Sequence, residues 1–384
     1  MGSTVSPLTE LLLPNFDSYD TCNLSQTRFQ PPPESQFSNP TSSFWLSDPP
    51  PVFTHQSPTF PTAVDVVVIG SGITGTAAAR TLLSNSPGLR VAMLDARELI
   101  ATGLVAIFGR EKARKVKEFR MGIPEGVTEE CQIRKVEVVD ATAKSCLGIY
   151  LEEFPEEIGG WETYEGEEAR CIIAGPAGAL GPARLIHPIL ARLLFTHPTF
   201  TLDSRAPVTS IAPPDSTISP NVVHTLQGEI TATHILRTTN GYTANLLPGR
   251  CFPFALKTEI GTVDDSVVDV CTTVHVSGVL PAIGVDTKVQ KIWIGIMRFS
   301  GDVLPWIGEA LAEISGRWQG TGKEWVAVGY TGDGMCVAWG AGKEVVTRIM
   351  GVKGGVGVIE EMDVTFERVE RAKGLEGLVG VFLG

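Results

Sequence analysis

The chain lacks most of the motifs that announce a reaction. Its 7 cysteines contain no C-x-x-C, and even the closest two, Cys131 and Cys146, stand far apart. That spacing excludes a zinc ribbon and reads as scattered buried thiols in a reducing, cytoplasmic compartment. The 6 histidines form no H-x-x-x-H or H-E-x-x-H pair, which argues against a zinc hydrolase. No G-x-S-x-G elbow is present, and Gly332-Asp333-Gly334 lacks the lysine of a phosphate-binding loop. Positive charge is short, with 31 basic against 43 acidic residues and a net charge of −12. A nucleic-acid binder or a polybasic membrane binder needs the opposite balance, because both must attract phosphate. No apolar run reaches the roughly 18 residues that span a bilayer. Hydrophobic residues at 43 % and charged residues at 19 % over 384 residues describe a globular protein.

Proline is unevenly spread. Residues 1–62 hold 11 of the 26 prolines and few charged side chains. Proline removes a backbone donor and keeps its predecessor out of the α region, so this segment is expected to be extended. It also carries Phe16, Tyr19, Phe29, Phe37, Phe44, Trp45, Phe53 and Phe60, which a free linker does not need. The expectation is an arm that partly docks on a globular body. It has neither the basic start nor the long apolar core of a signal peptide.

Regular structure begins abruptly at Val64. Val64 to Ile69 is a β-branched run that suits a strand buried on both faces. Gly70-Ser71-Gly72-Ile73-Thr74-Gly75 follows at once, and Thr76 to Leu83 is good helix material. Asn85 to Gly88 stops that helix, and Arg90 to Asp95 reads as a second strand ending in an acid. Strand, glycines, helix, strand and acid in this order form a dinucleotide-binding unit. Gly70 permits the tight turn, Gly72 lets the backbone approach a pyrophosphate, and Gly75 lets helix and strand pack closely. The helix start offers unpaired N–H groups and a positive dipole end. Asp95 follows Gly75 at the usual interval for an acid that accepts ribose hydroxyls, and it would repel a 2′-phosphate. NADP is therefore disfavoured, while NAD and FAD remain open.

A second strand, glycine turn and helix occurs near the C-terminus: Glu324 to Gly329, Tyr330 to Met335, then Cys336 to Met350. A helix start there could face a flavin ring and stabilise negative charge on it, although an ordinary loop before a helix reads the same way.

Taken together, these stretches resemble the FAD-dependent D-amino-acid oxidase, glycine oxidase and sarcosine oxidase superfamily, fungal members in particular. Val66 to Gly75 with Asp95-Ala96-Arg97 is similar to its N-terminal FAD fingerprint. Ala177 to Pro182, followed by a helical stretch from Arg184 to Leu194, looks like the entry to its return crossover. Ala206 to Ile211 looks like the strand whose valine, here Val208, touches adenine through its backbone. Ile235 to Pro248, with Asn240-Gly241-Tyr242 inside it, looks like the strand and loop that return to the FAD site. Gly295 to Gly308 resembles the loop D-x-x-P-x-I-G, and Gly329 to Met335 resembles the flavin turn, with Gly332, Asp333, Gly334 and Met335 as its contacts.

The resemblance implies FAD as cofactor and a small amine or amino-acid-like metabolite as substrate. It implies transfer of a hydride equivalent from an amine-bearing carbon to flavin N5, then hydrolysis of the imine, with the flavin supplying the hard step. It points to no protein base. Arg298 is the residue to consider as a carboxylate clamp, because guanidinium binds carboxylate through two parallel hydrogen bonds, although a plain surface arginine fits the sequence equally.

Departures from the family pattern concern activity. Ala101-Thr102-Gly103 runs directly into Leu104 to Lys112, so the flavin-facing loop that relatives carry after the second strand is absent. Two further shortenings fall between Phe119 and Glu130 and between Gly261 and Val279, where relatives place helices and strands of the substrate domain. No lysine matches the one that assists oxygen chemistry in some relatives, since Lys257 lies on an earlier strand. The turn G-x-x-G-H-G has Asp333 in its histidine position. Two readings stand: a flavoenzyme acting on a C–N bond, or a degraded paralogue that keeps the fold without activity. A gene model that skipped coding segments is a third.

The expected fold is α/β, a Rossmann-like FAD-binding domain with a central parallel sheet plus a smaller, reduced α+β substrate domain. The expected division is a proline-rich arm over 1–62, an FAD domain from 63–110 with 178–250 and 291–384, and a substrate domain from 111–177 with 251–290. Of the remaining residues, His187 and His197 read as caps or surface groups near a helix end. Trp293 and Trp306 read as pocket or core aromatics. Residues 364–372 read as an amphipathic helix with a solvated, charge-alternating face.

Overall fold

A computed structural model of the chain describes residues 51–96, 134–143, 170–179, 182–213, 220–247, 254–257, 298–302, 304–317, 322–331, 334–352 and 360–372. The β-branched run becomes β1 (Ala63–Ile69) and the residues after the glycines become α1 (Ile73–Asn85). β2 (Val91–Leu94) follows, then a separate antiparallel pair, β3 (Arg134–Ala143) with β4 (Arg170–Ala179). The crossover helix α2 (Pro182–Thr196) leads to β5 (Phe200–Asp203). A meander follows: β6 (Val208–Ala212), β7 (Asn221–Thr225) and β8 (Glu229–Arg237).

β9 (Phe254–Lys257) and β10 (Arg298–Ser300) make another two-stranded antiparallel sheet. β11 (Trp306–Glu309), the short α3 (Ala312–Ser315), β12 (Lys323–Val328), α4 (Gly334–Ile349) and α5 (Phe366–Ala372) complete the order.

The main sheet runs β11-β12-β8-β1-β2-β5. β5, β2, β1, β8 and β12 are parallel, and β11 is an antiparallel edge. β7 joins the first half of β8 antiparallel and brings β6 with it. Alternation along β1 divides the core. Val66 and Val68 face α1, α2 and α4, whereas Val67 and Ile69 face the meander with Ile211, Val223, Ile230 and Ile235. Both faces are covered, which is why this strand tolerates no polar residue after Asp65.

α1 and α4 cross with almost no space between them. A Cβ added to Gly342 of α4 would lie 2.3 Å from the Thr74 carbonyl oxygen and 2.9 Å from Ala77 Cβ. The small residues Ala77, Ala78 and Ala79 are fully buried and permit this approach.

On the meander face a charge cluster replaces hydrocarbon. The Arg237 and Glu324 side chains are fully buried and ion-paired, and Arg317 closes on the same carboxylate at 2.8 and 3.0 Å. Burial pushes the Glu324 carboxyl up, and the two guanidiniums overcome it, leaving it below its ordinary range. Removing one partner of such a group costs about 3–5 kcal/mol, because a bare charge stays behind.

The described part of the arm lies on β5 and α2. Ser57 N–H donates to Asp203 Oδ1 at 2.8 Å, and Ser204 N–H donates to the His55 carbonyl at 2.9 Å. Phe53 is buried edge-on against His187, with ring centroids 5.8 Å apart. Residues 1–50 lie outside the described residues.

Two sequence readings are corrected here, and one left open is decided. His187 is no cap or surface residue: it lies in the middle of α2 and is 5 % exposed, because Phe53 covers it. Of the two readings of Trp306, pocket or core, the core one holds, since the residue is fully buried. The C-terminal helix does not leave all its charges in solvent, because Arg368 is 3 % exposed. Trp293 lies outside the described residues.

Burial lowers the imidazoles of His187 and His234 from the ordinary 6.5. The unfolded chain then takes up protons that the fold refuses. Stability is therefore full above about pH 6.5 and falls as the pH drops below it. Urea unfolding at about pH 8 and about pH 5.5 measures the fall, and His187→Gln is expected to shrink it; an unchanged fall would contradict the His187 contribution.

Candidate functional site

The turn between β1 and α1 is set by contacts that only glycine allows. Gly70 has φ +102°, and its Cβ would meet Thr238 Oγ1 at 3.0 Å. A Cβ on Gly75 would come within 1.9 Å of the Gly70 carbonyl oxygen. Thr238, just beyond β8, ties the turn down by donating to the carbonyls of Ile69 and Gly70, both at 2.9 Å. Gly72 differs from both, because nothing lies within 4 Å of its Cβ direction. The one glycine of the three with open space is the one at the helix start, and α1 has no side-chain cap there. A pyrophosphate fits this arrangement: open approach, uncapped amides and the positive end of a 13-residue helix.

Asp95 completes the unit at the end of β2. Its Oδ2 accepts from Ser71 N–H at 2.8 Å and from the Ser71 hydroxyl at 2.5 Å. Asp95 N–H donates to the Asp203 carbonyl, and Ala206 N–H donates to the Asp95 carbonyl, so the carboxylate stands on fixed backbone. Ile73 and Thr74 are buried in the first turn of α1, and Ala96 is exposed just past Asp95. Thus Gly70, Ser71, Gly72, Ile73, Thr74, Gly75 and Asp95 are brought together. Val208 opens β6 and packs on the meander core.

The C-terminal turn meets the same region from the other side. Tyr330 Oη donates to the Ala327 carbonyl at 2.8 Å and lies 2.7 Å from Thr74 Oγ1. Burial pushes its phenol well above the ordinary range, so it stays protonated. Asn240 Oδ1 accepts from the backbone of Gly329 and Tyr330 at 3.0 and 3.3 Å. Asn240 (φ +39°) and Thr331 (φ +50°) both take the left-handed region, a strained conformation for a residue with a side chain. Gly334 begins α4, and Met335 is its second residue. Arg97, Gly332 and Asp333 lie outside the described residues, as do the shortened stretches after Gly103, Phe119 and Gly261.

Arg298 opens β10, where it is paired directly with Lys257 of β9. Lys257 ends the earlier strand β9, as sequence reading had it, and the backbone register sets it opposite Arg298. Sequence reading placed Tyr330 in the glycine turn and Thr238 and Asn240 in the stretch returning to it, but did not foresee the hydrogen bonds these side chains make there. Only the Asn-Gly pair at 240–241 carried a signal, since asparagine tolerates the left-handed region. Among the described residues no group of three or more His, Cys, Asp or Glu could hold a metal ion, and no helix is long and apolar enough to cross a membrane.

Two substitutions separate the roles of the glycines. Gly75→Ala is expected to cost about 1–3 kcal/mol in urea unfolding, because the backbone must shift. Gly72→Ala is expected to change stability by less than about 1 kcal/mol yet weaken FAD binding at least tenfold in a titration, since its methyl fills the open approach. Equal FAD affinity in Gly72→Ala and wild type would contradict a pyrophosphate at this turn.

No family model matches the chain, and no curated protein sequence matches it. Solved structures do match. L-proline dehydrogenase from P. horikoshii has a TM-score of 0.55 at 16 % identity, covering 79 % of this chain and 97 % of that one. L-amino acid deaminase from Proteus myxofaciens, in complex with anthranilate, has a TM-score of 0.56 at 15 % identity, covering 80 % and 94 %. Glycine oxidase from Geobacillus kaustophilus has a TM-score of 0.56 at 17 % identity, covering 79 % and 99 %. The resemblance read from the motifs holds at the level of the fold: this chain has the α/β architecture of the amino-acid oxidases and dehydrogenases.

Proposed function

We propose that the chain binds FAD and oxidises a C–N bond of a small amine or amino-acid-like metabolite. The observation that carries the proposal is the turn from Gly70 to Gly75 with Asp95. Its single sterically open glycine lies at an uncapped helix start, and the acid at the next strand end suits a ribose. The glycine-rich turn before α4 favours FAD over NAD, as does the fold shared with glycine oxidase and L-amino acid deaminase.

In this reading the amides at the start of α1 hold the pyrophosphate, and Asp95, braced by Ser71, accepts the ribose hydroxyls. Val208, at the start of β6, meets adenine through its backbone. Gly332, Asp333, Gly334 and Met335 form the turn beside the flavin. When bound, the flavin accepts a hydride equivalent from the amine-bearing carbon. Arg298, which opens β10, clamps the substrate carboxylate. The scattered thiols support a cytoplasmic location, and the division that goes with this reading is an FAD domain from 63–110 with 178–250 and 291–384 and a substrate domain from 111–177 with 251–290.

The absorption spectrum of the purified protein tests the proposal. A flavin band that bleaches when an amino acid is added without oxygen supports it; colourless protein that FAD cannot reconstitute sinks it. A bound flavin that no amine or amino acid bleaches favours the second reading, a paralogue that keeps the cofactor site without turnover, which the missing stretch after Gly103 supports. Arg298→Ala is expected to raise KM for a carboxylate substrate about 10–100-fold, as loss of charge-assisted hydrogen bonds predicts, with FAD content unchanged. An unchanged KM would remove Arg298 from the clamp.

A further inference from the structure

The C-terminal helix α5 carries a buried cation that sequence reading left in solvent. The Arg368 guanidinium binds Asp302 side-on, Nε to Oδ2 at 2.7 Å and Nη2 to Oδ1 at 3.1 Å. Nη2 also donates to the Leu304 carbonyl at 2.9 Å, and Nη1 donates to the Asp363 carbonyl at 3.2 Å. The guanidinium carbon sits 3.7 Å from the ring centroid of Trp306, whose side chain is in the core. Bidentate pairing and stacking together fix a guanidinium in a way no ammonium can reproduce.

What Arg368 holds is the end of β10. Asp302 Oδ1 accepts from the Ser300 hydroxyl at 2.6 Å, and the same hydroxyl oxygen accepts from Trp306 Nε1 at 2.7 Å. Ser300 N–H then donates to Thr331 Oγ1 at 3.1 Å, and the Thr331 hydroxyl donates to the Gly329 carbonyl at 3.3 Å. Ser300 is fully buried at the opposite end of the short strand from Arg298, and Thr331 is the left-handed residue of the turn before α4. A continuous set of charge-assisted and neutral hydrogen bonds therefore runs from α5 through Asp302 and Ser300 to that turn.

We propose that Arg368 is a positioning residue for the cofactor and substrate groups: it locks β10, with Arg298, against the C-terminal glycine turn. The proposal rests on the FAD reading for its consequence and on the hydrogen bonds alone for its mechanism. Without the guanidinium, Asp302 loses its counter-charge and turns toward solvent, away from Ser300. Ser300 and Thr331 then lose their common register, and the turn relaxes. Arg368→Lys keeps the charge and loses the side-on pair and the stacking, so it restores the register only in part. Arg368, Asp302 and Ser300 make no hydrogen bond to the pyrophosphate turn at Gly70 to Gly75, which Thr238 ties down independently, so FAD stays bound in either variant.

The test uses the full chain loaded with FAD. Arg368→Met is expected to keep one FAD per chain, while the visible circular dichroism of the flavin, which reports the protein around the ring, changes in amplitude by a third or more. Arg368→Lys is expected to fall between Arg368→Met and wild type, and Asp302→Asn to reproduce Arg368→Met. A dichroism spectrum identical to wild type in Arg368→Met, alongside a lower unfolding midpoint, would overturn the proposal and leave Arg368 a stability residue.

A second arm needs no cofactor. Urea unfolding of Arg368→Met, Thr331→Val and the double variant is expected to show losses that do not add, because both changes break one network. Additive losses would overturn the lock even if the protein proves colourless, whereas a colourless wild type with coupled losses would sink only the FAD reading.

Discussion

A backbone-to-backbone contact at the start of α1 constrains the rest of the molecule. Gly75 sits on the Gly70 carbonyl so closely that a methyl group has no room, and Thr238 closes the same knot from β8. Three elements thus converge at one point: β1, α1 and the end of β8. The approach of α4 over Thr74 at Gly342 adds a fourth. Once those contacts are made, the order β12-β8-β1-β2 and the position of both glycine turns follow. The open space at Gly72 is the by-product of the crowding around it. The chain uses its small residues for packing at Gly70, Gly75 and Gly342 and leaves one where a ligand can come close.

The second turn is held by side chains instead. Asn240 receives two of its amides, Tyr330 reaches the Thr74 hydroxyl, and Thr331 receives Ser300. These groups come from four stretches of chain that lie far apart in sequence. Each is a single neutral hydrogen bond, worth about 0.5–1.5 kcal/mol, so the geometry of the turn is a collective property. That suits a site in which position matters more than raw stability.

Much of the cofactor half was legible in the sequence because its signals are local. A β-branched run, three spaced glycines and a strand-ending acid fall within one βαβ unit, and β1, α1 and β2 lie close to where the pattern put them. The same holds for β12 and α4. What could not be read is non-local. Arg368 looks like one more surface charge in Glu367-Arg368-Val369-Glu370-Arg371 until Asp302, far away in sequence, arrives beneath it. His187 looks like a helix-end residue until Phe53 covers it. In each case the partner decides the role, and periodicity carries no information about partners.

The buried trio of Arg237, Glu324 and Arg317 has a consequence for how the chain comes to be folded. Arg237 stands at the end of β8 with no solvent, and its counter-charge lies 87 residues later, on β12. Until β12 is delivered, β8 cannot be sealed without enclosing a naked cation, which the interior does not tolerate. The central sheet therefore cannot close from its N-terminal half. On a ribosome, β1, α1 and β2 can form early, but the strand beside them must wait for the 87 residues between Arg237 and Glu324 to emerge. Completion of the sheet is thereby tied to arrival of the second glycine turn, which directly follows β12.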